Sequence, residues 1–256
     1  NTGLQMQRGG APPERGLFRI LTKSREERWI DISLGVFEWN GKPAGYGTAV
    51  DITDRKRAEM LQDAVYRIAQ AADRSKSLDE LFPAVHAIIG EVMPARNFYI
   101  ALHDFAQDLI HFPYYVDQHD RPPFLSRPGK GLTEYVLRTG KSLLCDPVTT
   151  DALEQLGEVE LVGTPSPIWL GVPLKIDNQV IGVMAVQDYT DATVFGEREQ
   201  RILEFVSSQV AMAINRKRAE EALRDNEVRI ERRVNELAAL YETPRDAATQ
   251  RDTPTL

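Results

Sequence analysis

The spacing of hydrophobic positions shifts along this chain between the period of a strand and that of a helix, and the shifts mark its elements. Apolar and polar residues alternate over residues 29–33, and Leu17-Phe18-Arg19-Ile20-Leu21 is a short run of similar character, so strands are predicted within 17–52. Asn40-Gly41 is predicted to turn one strand into the next, at Tyr46-Gly47-Thr48-Ala49-Val50, because both turn residues tolerate positive φ. From Asp54 the period lengthens: Ala58, Leu61, Ala64, Val65, Ile68 and Ala72 recur at helical spacing. A second helix is predicted from a capping box, Ser77 with Glu80, ahead of Leu81, Phe82, Val85, Ile88, Ile89 and Val92; Pro94 marks its end.

Mixed sequence follows. Residues 98–102 and 109–112 read as strands around a short polar turn. Pro122-Pro123 and Pro128-Gly129 mark a loop leading to a short helix over 132–139, closed by Gly140. Leu143-Leu144-Cys145 reads as a short buried strand, and residues 169–176 and 179–187 as a hairpin turning at Asp177-Asn178. A long helix starts near Glu197, with Leu203, Val206, Val210, Ala213 and Ile214 as its inward stripe. Farther on, Leu223, Ile230 and Leu237 recur every seven residues, with Ala219, Asn226, Val234 and Tyr241 near the intervening core positions. That pattern predicts a dimeric coiled coil in which Asn226 sets the register. Residues 243–256 read as a disordered tail.

Composition narrows the classes. A chain of 256 residues, 42% hydrophobic and 27% charged, accommodates one full domain and a smaller partner. The strands in 17–52 have one apolar face and nothing here to cover it, so their covering helices are expected upstream of Asn1 or are missing, and the chain reads as a piece of a longer protein. A net charge of −7 argues against general nucleic-acid binding. One cysteine, Cys145, rules out a disulfide framework or a cysteine metal cluster. No apolar run approaches the roughly 20 residues of a membrane span, and no signal peptide opens the chain. A cytoplasmic protein with no direct membrane span is expected. One pentapeptide occurs twice, Arg55-Lys56-Arg57-Ala58-Glu59 and Arg216-Lys217-Arg218-Ala219-Glu220, each on a helix leaving a strand-containing region. It reads as one device used twice, a helix carrying strain out of a sensory unit.

Two families enter on these residues. The arginine-rich first strand, Arg28-Trp29-Ile30, the Asn40-Gly41 turn, Tyr46-Gly47-Thr48-Ala49-Val50 and Asp51-Ile52-Thr53 before Arg55 resemble, in order, the C-terminal strands of a PAS domain. A GAF domain is resembled through Met93 to Leu102, Gly129-Lys130-Gly131-Leu132-Thr133-Glu134-Tyr135, Trp169-Leu170-Gly171-Val172-Pro173-Leu174 and Val180-Ile181-Gly182-Val183-Met184-Ala185-Val186-Gln187. The resemblance implies an α+β fold: a GAF domain with a central antiparallel sheet flanked by helices, preceded by PAS C-terminal strands and followed by a coiled-coil helix. It places helices on one sheet face and a small-molecule pocket on the other. The implied division is 1–54 for the PAS part, 55–217 for the GAF domain with linker helices, 218–242 for the coiled coil and 243–256 for the tail. The implied function is a sensory and dimerisation module of a bacterial signal-transduction protein, homodimeric through its linker helices. It binds a small ligand or relays a signal to a histidine kinase or diguanylate cyclase output. A trimmed histidine-kinase fragment and a purely structural dimerisation module stay open as alternatives.

Chemistry is sparse. His86, His103, His111 and His119 lie in no phosphoacceptor motif, and no glycine-rich ATP-binding motif is present, so no catalytic or metal-binding residue is predicted. GAF-type methionine sulfoxide reduction needs a resolving thiol, which Cys145 lacks, and Cys145 reads as a buried structural residue. Phe195 keeps the phenylalanine of the pattern in cyclic-nucleotide-binding GAF domains, but Gln187-Asp188 and Glu199-Gln200 depart from it, Asp188 reversing a lysine's charge. The cofactor is therefore unknown. Gly129-Lys130-Gly131 before a helix offers N–H groups to an anion, and Tyr99, His111, Tyr115, Tyr135 and Trp169 are candidates to line an aromatic pocket beside Lys130.

Overall fold

The computed structural model describes residues 15–23, 26–125 and 127–248, with side chains as far as Ala238. These residues fall into two compact units that divide between Asp63 and Ala64.

The first unit is an antiparallel meander in the order β1 (Arg15–Leu21), β2 (Glu27–Trp39) and β3 (Lys42–Asp51). Trp39 pairs with Lys42 across Asn40 and Gly41, whose φ values of 51° and 72° are those the predicted turn requires. Arg15 Nε donates to Asp31 Oδ1 at 3.0 Å across the strands. Hydrogen bonding to that guanidinium holds the Asp31 carboxyl below its ordinary range, against the opposing effect of burial. Leu17, Ile20, Leu21, Val36, Phe37, Trp39, Tyr46 and Val50 are exposed. At the exit, Trp29 N–H donates to Thr53 Oγ1 and Thr53 N–H to Asp51 Oδ1, both at 2.9 Å. Asp51 and Thr53 thereby fasten the start of helix α1 (Thr53–Arg74) to the neighbouring strand.

The second unit begins within α1, where Ala64, Ile68 and Ala72 are buried. Helix α2 (Leu78–Val92) buries Leu81, Phe82, Val85, Ile88 and Ile89 of the expected stripe and leaves Val92 half-buried. Its capping box is only half made: the Ser77 side chain accepts no cap bond, and Glu80 reaches back to the Lys76 N–H at 2.7 Å instead. The five-stranded antiparallel sheet comprises β4 (Asn97–Asp104), β5 (Leu109–Val116), β6 (Leu143–Cys145), β7 (Ile168–Ile176) and β8 (Gln179–Asp188), in the order β5-β4-β8-β7-β6. The β7–β8 hairpin turns at Asp177 and Asn178, both with positive φ, as predicted. Helix α3 (Leu132–Thr139) ends where expected, Gly140 taking φ +62° and donating to the Val136 carbonyl at 2.9 Å. A further helix, α4 (Pro147–Gln155), is not apparent in the hydrophobic pattern because it buries no residue. Its start is nonetheless written in polar residues: Asp146 accepts the Thr149 N–H at 2.8 Å and Pro147 occupies the first turn.

Strand parity divides the sheet's side chains between two layers. Tyr99, Ala101, Ile110, Trp169, Val183 and Ala185 form a core cluster with Val136 of α3 and Cys145 of β6, and Leu153 of α4 packs against it. Phe98, Ile100, Leu102, Leu170, Val172 and Leu174 are fully buried on the opposite face, where α2 meets β5 and helix α5 (Glu197–Ala248) meets β7. Helices therefore flank the sheet as expected, and besides those on the opposite face α3 and α4 roof the side assigned to the pocket.

Helix α5 buries Leu203, Val206, Val210, Ala213 and Ile214 as predicted. Past the sheet, Leu223, Ile230, Val234 and Leu237 are all more than half exposed. The helix continues to Ala248, into the segment expected to be a tail; the Tyr241 side chain and residues 249–256 lie outside the described set. The repeated pentapeptide has a local explanation. Lys56 pairs with Glu59, and Lys217 with Glu220, each at 2.7 Å. Arg55 and Arg216 reach the same two glutamates at 3.6 and 2.9 Å, so each copy builds the same ion-pair set along one helical turn. Among the described residues, no helix is long and apolar enough to cross a membrane.

Candidate functional site

Between the sheet and its α3–α4 roof lies a cavity of about 310 Å³. Its floor is aromatic because of strand parity and one irregularity. Tyr99 and Trp169 point to this face from β4 and β7, and the Trp169 ring lies directly over Gly171, where a Cβ would fall 2.1 Å from the indole. Only glycine at 171 leaves the ring that position. On β5 the register slips between Ile100 and Leu102, which pair with Tyr114 and His111, so β5 carries one extra residue there. The bulge turns both Phe112 and Tyr115 onto the cavity face. Tyr99 stacks on Tyr115 with ring centroids 5.3 Å apart, and Phe112 lies 5.7 Å from Tyr99.

A hydrogen-bonded chain holds this floor. Trp169 Nε1 donates to the Tyr99 hydroxyl at 3.0 Å, and that hydroxyl meets Thr133 Oγ1 at 2.7 Å. All three residues are buried. Burial raises the Tyr99 phenol well above its ordinary value. Burial, helped by Asp117 and Asp120, pushes Tyr115 up to about 12. Both phenols stay protonated at neutral pH and offer hydrogen bonds rather than charge.

A second network ties the rim together. Asp117, just beyond β5, accepts from the N–H groups of His119 and Asp120 at 2.8 Å, from Gln187 Nε2 and from the Tyr189 hydroxyl at 3.0 Å. Burial opposes ionisation of Asp117, but these donors together hold its carboxyl below the ordinary range. Asn97 joins the same corner, donating to the Gln187 carbonyl and accepting the Gln118 N–H, both at 3.0 Å. Asp120 accepts from Thr164 N and Oγ1 at 2.9 and 2.8 Å. The loop leading into β7 is thereby anchored to the loop leaving β5.

Three of the six expected ligand residues come together here: Tyr99, Tyr115 and Trp169 line the cavity. The other three lie elsewhere. The bulge places His111 opposite Leu102, on the face packed by the long helices, where burial and then the Arg218 charge lower its pKa. Lys130 faces Glu160, its Nζ 3.7 Å from Oε1, and Tyr135 lies under the Arg138 guanidinium at 5.5 Å. Sequence reasoning missed Thr133, Gln187 and four carboxylates at the cavity, Asp120, Glu134, Asp151 and Glu154. For Asp151 and Glu154 the available signal was the Asp146-Pro147 helix start, which puts both on one short helix.

Cys145 also lines the cavity. Burial raises its thiol pKa, with the Thr150 hydroxyl at 3.2 Å pulling back against it, so the nucleophilic thiolate is disfavoured. Among the described residues, no group of three or more His, Cys, Asp or Glu side chains is placed to hold a metal ion.

A family model for the GAF domain matches residues 75–215. The GAF domain of a phosphoenolpyruvate-protein phosphotransferase from Coxiella burnetii is similar in fold, with a TM-score of 0.53 and 17% identity over 64% of this chain and 98% of that one. The GAF domain of the Acinetobacter phosphotransferase gives a TM-score of 0.52 and 18% identity, with the same coverage of 64% and 98%. Free methionine-R-sulfoxide reductase from Neisseria meningitidis, solved in complex with its substrate, gives 0.50 and 15% over 64% of this chain and 93% of that one. At these identities the likeness is one of fold. No curated protein matches the chain.

Proposed function

The chain belongs to the GAF domain family, and we propose that it is the sensory module of a signalling protein, taking a small molecule into the cavity above Tyr99 and relaying its presence along α5. GAF domains are small-ligand-binding and signalling modules, and the observation that carries the reading here is the roofed aromatic cavity of about 310 Å³. The route outward follows from the sheet. Strand β7 presents Trp169 to the cavity, while its alternate residues Leu170, Val172 and Leu174 lie on the face that α5 covers. A ligand that shifts β7 changes the seat of that helix, and it biases two states only by its differential affinity for them.

The three-stranded meander, in this reading, is the C-terminal part of a PAS domain. Its exposed apolar side chains and the Asp51–Thr53 clasp at the start of α1 support that assignment. Helix α5 beyond Lys217 pairs with a second copy in a homodimer and feeds a histidine kinase or diguanylate cyclase output in the cytoplasm. The exposed heptad positions Leu223, Ile230 and Leu237 support the pairing. Asn226 accepts from Arg229 Nη2 at 2.6 Å in the single chain and exchanges that partner for its own copy on pairing. The chain itself makes or breaks no bond, in keeping with a Cys145 thiol held protonated by burial.

A fragment panel read at the Trp169 indole N–H by NMR tests the receptacle. Hits that shift this resonance, and that slow hydrogen exchange over residues 203–214, are expected. A panel with no hit at the indole overturns the reading.

A further inference from the structure

The cavity's charge is one-sided. Asp120, Glu134, Asp151 and Glu154 line it, and among the described residues its lining contains no lysine, arginine or histidine. Asp120 and Glu134 are half-buried in the wall, whereas Asp151 and Glu154 stand exposed at the mouth on α4. Neutral donors fix two of the four without neutralising them: Thr164 holds Asp120, and the Leu161 N–H holds Glu154 Oε1 at 3.0 Å. Among the described residues, none of the four lies within 4.0 Å of a basic nitrogen. Lys130, one of the expected ligand residues, faces Glu160 instead, its Nζ 3.7 Å from Oε1.

Beneath these carboxylates lie the rings of Tyr99, Phe112, Tyr115 and Trp169. Aromatic faces attract cations through their quadrupole, most strongly where water is excluded. An anion entering the same space loses its hydration and meets like charge from α3, from α4 and from the loop after β5. A bare metal ion is disfavoured as well, because the carboxylates do not converge into a coordinating group.

We infer that the cavity is selective for a small organic cation, an ammonium or guanidinium group on an apolar body, with the rings taking the body and the carboxylates the charge. The inference rests on the receptacle reading and specifies its ligand class. It differs from the anion that the N–H groups of Gly129-Lys130-Gly131 could accept.

The test uses the full chain and a panel holding equal numbers of cationic, neutral and anionic fragments matched in size, scored at the Trp169 indole. Cations are expected to outnumber anions among the hits by about fivefold or more, and their affinity to fall as salt rises. The double variant Glu134→Gln/Asp151→Asn should weaken cationic hits by about tenfold and leave neutral hits unchanged, since each carboxyl keeps its shape and loses only charge. Anions equal to or exceeding cations, or cationic hits indifferent to the double variant, overturn the inference while leaving the receptacle reading standing. No hit of any charge at the indole overturns both.

Discussion

Tyr99 shows how much of the site was readable one residue at a time. An aromatic residue with a polar tip in an apolar strand was a fair candidate, and its hydroxyl does join Trp169 to Thr133. His111 was equally reasonable on parity and lies on the other face, because the extra residue in β5 inverts that parity. Pro113, on an edge strand, was the available hint, since proline inside a strand marks an edge or a bulge. The misplacement has a measurable consequence. Burial first, and then Arg218, depress the folded pKa of His111 below the ordinary 6.5, while Asp104 acts in the opposite direction. Below that ordinary value the unfolded chain binds more proton than the folded one, so this residue's contribution to stability is intact above 6.5 and is lost as pH falls toward the folded value. Melting temperature is therefore expected to drop between about pH 7 and pH 5.5, and His111→Asn to flatten part of that drop. Equal slopes in parent and variant would show that His111 does not titrate in this window.

Elements were legible where one or two residues decide them locally. Asn40-Gly41, Asp177-Asn178 and Gly140 each have a backbone conformation that few residues adopt, so their positions fixed turn and helix end together. Helix α4 was missed for the opposite reason: with no buried residue it leaves no hydrophobic period, only the Asp146-Pro147 start. The carboxylates on α4 reach the cavity through tertiary packing alone, so spacing in sequence does not bring them beside Glu134 and Asp120. Gly140 offers the sharper test of element logic. Its φ of +62° disfavours any Cβ, and one built there lies 3.3 Å from Val180 Cγ2. Gly140→Ala is expected to cost about 1 kcal/mol, and Gly140→Asn less, because asparagine enters the left-handed region more readily. Urea unfolding of both variants, read as midpoints at constant slope, checks the order. Equal midpoints for Gly140→Ala and the parent would mean that the cap adds nothing.

At the scale of the whole molecule, the question is how a change at the cavity leaves the chain. Helix α5 is anchored by Leu203 to Ile214 against the sheet and then runs on with its apolar heptad positions in solvent. An isolated helix of that kind is marginal in water, since its stability comes mostly from packing. Pairing with a second copy would bury Leu223, Ile230 and Leu237, each contributing roughly 1.5–3 kcal/mol on full burial. Under the proposed relay, parallel pairing is the arrangement in which both copies deliver the same rotation. Sedimentation at micromolar concentration is expected to show a dimer for the parent and a monomer for Ile230→Asp, which sets two like charges in the seam. Arg232→Asp, on the exposed face two residues away, controls for charge and should remain dimeric. A monomeric parent would leave the heptad positions as a solvated face and remove the dimer from the signalling route. A dimeric Ile230→Asp would move the contact back along α5, to the stretch beside the sheet where Phe205 and Met212 are 50% and 49% exposed. The signal would then pass between copies at the GAF domain itself, before the helix leaves it.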